Sequence, residues 1–142
     1  MAYTTLQELI DRYGEAMLIG LTDRDDVSTG VVDPETIEQA IAAAGAQIDG
    51  YVGTRYALPM AQTPPLVAKL ARAITCWELH TYDAPDKITD DYKEAVSTLK
   101  DISRGAVVLD VAGNEPEGNG SSGVQITDRE RPLEASKMTG FI

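Results

Sequence analysis

The single cysteine and the single histidine of the chain, Cys76 and His80, stand four residues apart in PPLVAKLARAITCWELH, so a helix places them on one face. Such a pair can supply a thiolate nucleophile with its base, but the catalytic arrangement needs thiol and ring side by side in an accessible site, and here the context is a packed helix. These residues read better as a buried small thiol and a half-exposed imidazole near a helix C-terminus. Two such ligands also fall short of the four that structural zinc takes. The loop Thr22 to Gly30 gathers Asp23, Asp25 and Asp26, which raises the question of calcium. An EF-hand loop counted from Asp23 would need an oxygen ligand at its fifth position, glycine at its sixth and glutamate at its twelfth, where the chain has Val27, Ser28 and Pro34. A solvated turn in which Asp23 or Asp26 caps backbone amides accounts for these acids better. GNGSSG lacks the lysine of a phosphate loop and reads as linker. The 23 acidic side chains could always supply a carboxylate pair for a hydrolase, yet no spacing singles one out, and most lie in helix first turns or loops. The expectation is no catalytic residue, no metal and no cofactor.

The elements that would position these residues are helical. Thr5-Leu6-Gln7-Glu8 has the spacing of a capping box, Leu6, Leu9, Ile10 and Tyr13 follow on one face, and Gly14 ends the segment. Glu15 to Leu21 is a short apolar turn or two. Asp33-Pro34-Glu35 opens a longer spine helix, with Ile37, Ile41, Ala44, Ile48 and Tyr51 or Val52 at intervals of three and four. Its middle, AIAAAGAQ, lets another helix approach closely. The next helix opens at Thr63-Pro64-Pro65, and its wide apolar surface, from Leu66 and Val67 to Ile74 and Trp77, suits a central helix contacted from more than one side. The last predicted helix runs from about Thr89 to Arg104, with Tyr92, Val96, Leu99 and Ile102 on one face and Gly105 as terminator. AVVLDV then reads as a short β-prone run, GNEPEGNGSSG as a flexible linker, and VQITDRERPLEASKMTGFI as an arm that becomes ordered on a partner. The expected fold is all-α: a four- to five-helix bundle over residues 1–105, a short β element and linker over 106–123, and an extended C-terminal arm over 124–142.

Composition narrows the function. Of 142 residues 43% are apolar, but only one is phenylalanine and one tryptophan, so the core must be aliphatic. A net charge of −11 opposes a broad grip on phosphates and would let DNA pass without sticking. The lone cysteine and an N-terminus without a basic region and apolar run suit a reducing cytoplasm. No apolar segment approaches the roughly 20 residues that span a bilayer, so no membrane role is expected.

The stretch IDGYVGTRYALPM, residues 48–60, carries no catalytic group. Gly50 and Gly53 read as the end of the spine helix, Arg55 as a cation on its terminal carbonyls, and Tyr51, Tyr56 and Leu58 as anchors of the crossing to the next helix before Pro59. With YTTLQELIDRYGEAMLIGLTDRD, PPLVAKLARAITCWELH and the terminal KMTGF, this stretch closely resembles the head-to-tail adaptor (connector) proteins of Mu-like and related tailed phages, and the resemblance covers nearly the whole chain in order.

The resemblance implies a mostly helical structural protein of the virion neck, assembled in the host cytoplasm. Copies would form a homo-oligomeric ring, typically twelvefold, beneath the portal protein, prolonging the DNA channel towards the next neck protein, a stopper or tail-completion protein. DNA would pass without sequence-specific binding. The arm would then be the portal-binding part: Met138, Phe141 and Ile142 as apolar anchors, VQIT adding a strand to an exposed edge, and Arg129 or Arg131 pairing with acids, with Leu133 and Lys137 beside them. Fully extended, its roughly 19 residues span about 60 Å. Arg131-Pro132-Leu133-Glu134-Ala135 departs from the family, which tends to place an aromatic and an arginine there. An acidic regulatory module or DNA mimic is the alternative reading, and a carboxylate-based hydrolase a more distant one.

Overall fold

Five α-helices make up the structure, a computed structural model that describes residues 2–111. They are α1 (Leu6–Tyr13), α2 (Glu15–Thr22), α3 (Pro34–Val52), α4 (Pro65–Leu79) and α5 (Asp86–Arg104). Their starts follow from local chemistry. At α1 the capping box closes in both directions, Glu8 N–H donating to Thr5 Oγ1 at 3.3 Å and Thr5 N–H to the Glu8 carboxylate at 3.2 Å. At α3 the Asp33 carboxylate accepts from the Glu35 amide at 3.1 Å and from the Thr36 hydroxyl at 2.7 Å. α5 begins about one turn before Thr89. Pro85 presets the entry, Asp86 suits the positive end of the helix dipole, and Ile88 gives the added turn a buried contact.

α4 is the central helix, packed against α3 on one side and α5 on the other. It buries Val67, Leu70, Ala71, Ile74, Thr75, Cys76 and Leu79, and α3 meets it and its neighbours with Ala44, Gly45, Ile48 and Val52. Small residues on α3 let the two backbones approach, and each fully buried Ile or Leu contributes about 1.5–3 kcal/mol of transfer free energy. Tyr92 joins three helices at one point. From α5 its ring stacks on Trp77 of α4, centroids 4.1 Å apart and 11° from parallel, and its hydroxyl accepts from Gln47 of α3 at 3.3 Å. α1 and α2 form a short hairpin over a second cluster: Leu9 and Leu18 meet Ile37, Ile41 and Leu79.

The expected β element is absent among the described residues. The run 106–111 turns at Ala106 and Val107, whose amides return to the Asp101 carbonyl, and it alternates in burial, with Leu109 and Val111 buried in the main core and Val107 partly so, while Ala106, Val108 and Asp110 face out. It has the period of a strand but no neighbouring strand among the described residues to pair with. Its hydrogen bonding goes elsewhere: the Leu109 amide donates to the Tyr56 hydroxyl at 2.8 Å. The chain therefore closes its core with a packed segment where the residue types suggested a sheet.

Burial also sets an alkaline limit. Burial pushes the Cys76 thiol up from 9.0 to about 11, and burial together with the neighbouring thiol pushes the Tyr13 phenol up from 10.0 to about 12. Both groups hold their protons more tightly folded than unfolded. Their contribution to stability is full below the unfolded thiol value and is lost as pH rises through the folded ones. Thermal unfolding should fall to lower temperature as pH rises from 9 to 11, and a Cys76→Ala variant should show a shallower fall across that interval.

Candidate functional site: the clamp between residues 53–60 and 105–111

The connection after α3 meets the segment after α5. Gly53 caps α3 with right-handed backbone (φ −62°), and a side chain there would stand 2.8 Å from the Asp49 carbonyl oxygen and 3.1 Å from Leu58 Cδ1. The amides of Arg55 and Tyr56 both turn back to the Val52 carbonyl, at 3.1 and 3.0 Å. That tight turn points Tyr56 inward, where it is buried with Met60 in the main core and holds the Leu109 amide. Tyr3, also buried, donates its hydroxyl to the Asp49 carboxylate and ties the N-terminal residues to the end of α3. Burial is the main cause that raises the Tyr3 phenol, with the Asp49 carboxylate adding to it.

Gly105 completes the clamp. It ends α5 in the left-handed region (φ +81°), its amide bonded to the carbonyls of Asp101 and Ile102, and Ala106 N–H returning to Asp101 at 2.9 Å. The Arg55 guanidinium lies directly over it, so that a Cβ at Gly105 would stand 2.4 Å from Arg55 Nη1. A cation at the C-terminal end of a helix is favourably placed against the helix dipole.

Several residues sit differently from their sequence reading. Gly50 does not end the spine helix: α3 continues through it to Val52, and nothing lies within 4 Å of where its side chain would be. Arg55 serves the end of α5 rather than the carbonyls of α3, and its buried Nε has no hydrogen-bond partner among the described residues. Leu58 is 38% exposed and covers Gly53 from outside, while Tyr51 is half-buried against the main core. Tyr3, Met60 and Leu109 were missed as parts of this junction. The alternation of Val107, Leu109 and Val111 was the one signal that could have found them. Arg129, Arg131, Leu133, Lys137, Met138, Phe141 and Ile142 lie outside the described residues.

The other chemical candidates resolve into packing. Cys76 is fully buried, and His80 turns from it: Nδ1 carries the proton and donates to the Cys76 carbonyl oxygen at 2.7 Å. In the 22–30 loop the Asp23 carboxylate accepts from the amides of Thr29 and Gly30 and the hydroxyls of Ser28 and Thr29, which hold it below the usual carboxylate range. No group of three or more His, Cys, Asp or Glu side chains poised for a metal occurs among the described residues.

What the clamp can do is mechanical: it holds residues 105–111 against the helical body. Tyr56→Phe keeps the ring but leaves the Leu109 amide buried without an acceptor. It should cost about 1–3 kcal/mol in urea-induced unfolding while leaving the helical circular dichroism unchanged.

The comparisons with known proteins follow the whole of this architecture. Over 145 aligned residues, covering all of both chains, the sequence is 31% identical to "Gene product J" of Escherichia phage Mu. It is 23% identical over 140 residues to the Mu-like prophage FluMu protein gp36 of Haemophilus influenzae, covering 99% of this chain and 98% of the relative. Residues 3–128, which include every helix and both halves of the clamp, match the family described as Bacteriophage Mu, Gp36, and the chain belongs to that family.

Proposed function

We propose that the protein is a structural component of the virion neck, a head-tail adaptor whose copies form a ring on the portal and extend the DNA channel towards the next neck protein. The observation that carries this reading is the end-to-end match to proteins of Mu-type phages, made by a chain whose thiol, imidazole and Asp23 carboxylate, the candidates for chemistry, are engaged in packing and capping. The clamp supports it. A protein that links two assemblies needs a body that keeps its shape and a segment presented from a fixed point, and Tyr56 and Arg55 set that point at residues 105–111. The net charge of −11 supports it too, since an anionic lining repels the DNA backbone and keeps the channel from gripping it.

In this reading the ring is held by head-to-tail contacts between identical copies, so each copy carries two different, complementary surfaces. The C-terminal residues 124–142 engage the portal, with Phe141, Met138 and Ile142 as apolar anchors and Arg129 and Arg131 as ion-pairing groups.

Electron microscopy of the full chain mixed with the portal of the same phage should show an added ring on the portal axis. A chain lacking residues 124–142 should remain helical and monodisperse yet add nothing. Normal docking by the truncated chain would remove the arm from the account. A full chain that leaves the portal bare but binds a protein with a basic, DNA-binding groove would favour the acidic mimic instead.

A further inference from the structure

The body has a cationic pocket that its overall charge does not explain. Between the end of α1, the first half of α4 and the first half of α5 lies a cavity of about 260 Å³, lined by Arg12, Lys69, Arg72 and Lys87 over an apolar floor that includes Leu66 and Leu70. Lys87 pairs with Asp91 at 2.7 Å, and Arg12 lies over the Tyr13 ring with its guanidinium carbon 5.7 Å from the centroid. Neither Arg12, Lys69 nor Arg72 makes an ion pair among the described residues, although acids outnumber bases by 23 to 12 in the sequence. Three unpaired cations around a cavity with a partly apolar floor, with Asp91 and Glu94 sharing its wall, fit a ligand of a few acids with an apolar tip.

The same chain builds such a shape elsewhere. The loop between α2 and α3 is held from within by the Asp23 carboxylate and tied to the body by Arg24, whose Nε donates to the Leu21 carbonyl at 2.8 Å and whose Nη2 donates to the Leu79 carbonyl. Its outer part presents Asp25 and Asp26 beside Val27, 76% exposed, and Val31, 60% exposed. Two bared valines on an internally braced loop form a preorganised knob, which loses little conformational entropy on docking.

We infer that the 23–31 knob of one copy seats in the Arg12–Lys69–Arg72 pocket of the next, and that this is a head-to-tail contact between subunits. A copy cannot fill its own pocket. Arg24 pins the knob at the Leu79 end of α4, whereas Lys69 lies ten residues back along that helix, about 15 Å away at 1.5 Å per residue. Asp91 and Glu94 on the pocket wall argue against a nucleic-acid backbone as the occupant, because phosphates would meet them as well as the cations. A loop that brings two carboxylates and two valines sets less negative charge against those acids than a run of phosphates does. The inference rests on the ring reading and deepens it by naming the two faces.

Charge exchange tests the contact in the full-length chain, with assembly followed by sedimentation velocity at rising protein concentration. The wild type should associate, and should do so less as salt rises. An Asp25→Lys/Asp26→Lys variant alone, and an Arg12→Glu/Lys69→Glu variant alone, should each stay monomeric where the wild type assembles. Mixed in equal amounts they should assemble again, because each knob then meets a pocket of opposite charge; an unfolded variant could not restore assembly. Wild-type assembly that is indifferent to both reversals and to salt would overturn the contact and leave the ring reading standing. A wild type that stays monomeric at every concentration would overturn the contact and the ring reading for the chain alone. Loss of DNA binding by the pocket variant, with assembly intact, would assign the pocket to nucleic acid.

Discussion

The core must accommodate a buried backbone amide that belongs to no helix, and the 2.8 Å bond from Leu109 N–H to the Tyr56 hydroxyl meets that requirement. Leu109 and Val111 are buried with no partner strand among the described residues, so no sheet ladder there satisfies their backbone. A side chain from elsewhere must reach in, and it must be long, rigid and polar only at its tip. Tyrosine meets all three conditions. Placing that tyrosine inward requires the abrupt turn at Gly53, where Asp49 and Leu58 leave little room for a side chain, and the crossing to α4 that follows. IDGYVGTRYALPM thus holds together two parts of the chain fifty residues apart.

This junction sits on a scaffold with little redundancy. α4 is buried between α3 and α5, the small residues of α3 set the helix separation, and Tyr92 registers all three helices through one ring and one hydroxyl. Aliphatic packing of this sort is stiff, because interiors near crystal density transmit a displacement rather than absorb it. A stiff body suits the neck role proposed above, in which each copy would present its faces to two neighbours at a fixed angle. The chemistry that the sequence offered, a thiol, an imidazole and a run of aspartates, goes to that same end. Cys76 fills space, His80 closes the end of α4, and Asp23 braces the loop that stands out from the body.

The helices were legible in the sequence because their signals are local. A capping box at Thr5 and an Asp-Pro start at Asp33 each act within a single turn, and the apolar periodicity of Ile37, Ile41, Ala44 and Ile48 reports one buried face. What was not legible depended on distant partners. Period two in AVVLDV is as compatible with an extended segment packed on helices as with a strand, and only a pairing partner could decide between them. Gly50 resembled a terminator although α3 continues through it to Val52, with open space where its side chain would stand, while the glycine that caps α5 in the left-handed region is Gly105. Arg55 was placed on the nearer helix end, yet the turn at Gly53 carries it to the farther one. The loop Thr22 to Gly30 reads as a turn capped by Asp23 or Asp26, and Asp23 does cap it, but that Val27 and Val31 stand exposed depended on how the loop seats against α4.

Amide hydrogen exchange at Leu109 in the intact chain tests the central claim most directly, since it reports whether the segment after α5 belongs to the cooperative body. If Tyr56 clamps it, the Leu109 amide exchanges as slowly as the amides of Ile48 and Leu99 in the helices it packs against, through opening of the whole core. Exchange at the rate of an exposed loop amide such as that of Val27, with Ile48 and Leu99 still protected, would show that residues 106–111 are not held by the body, and the account of the clamp would be wrong.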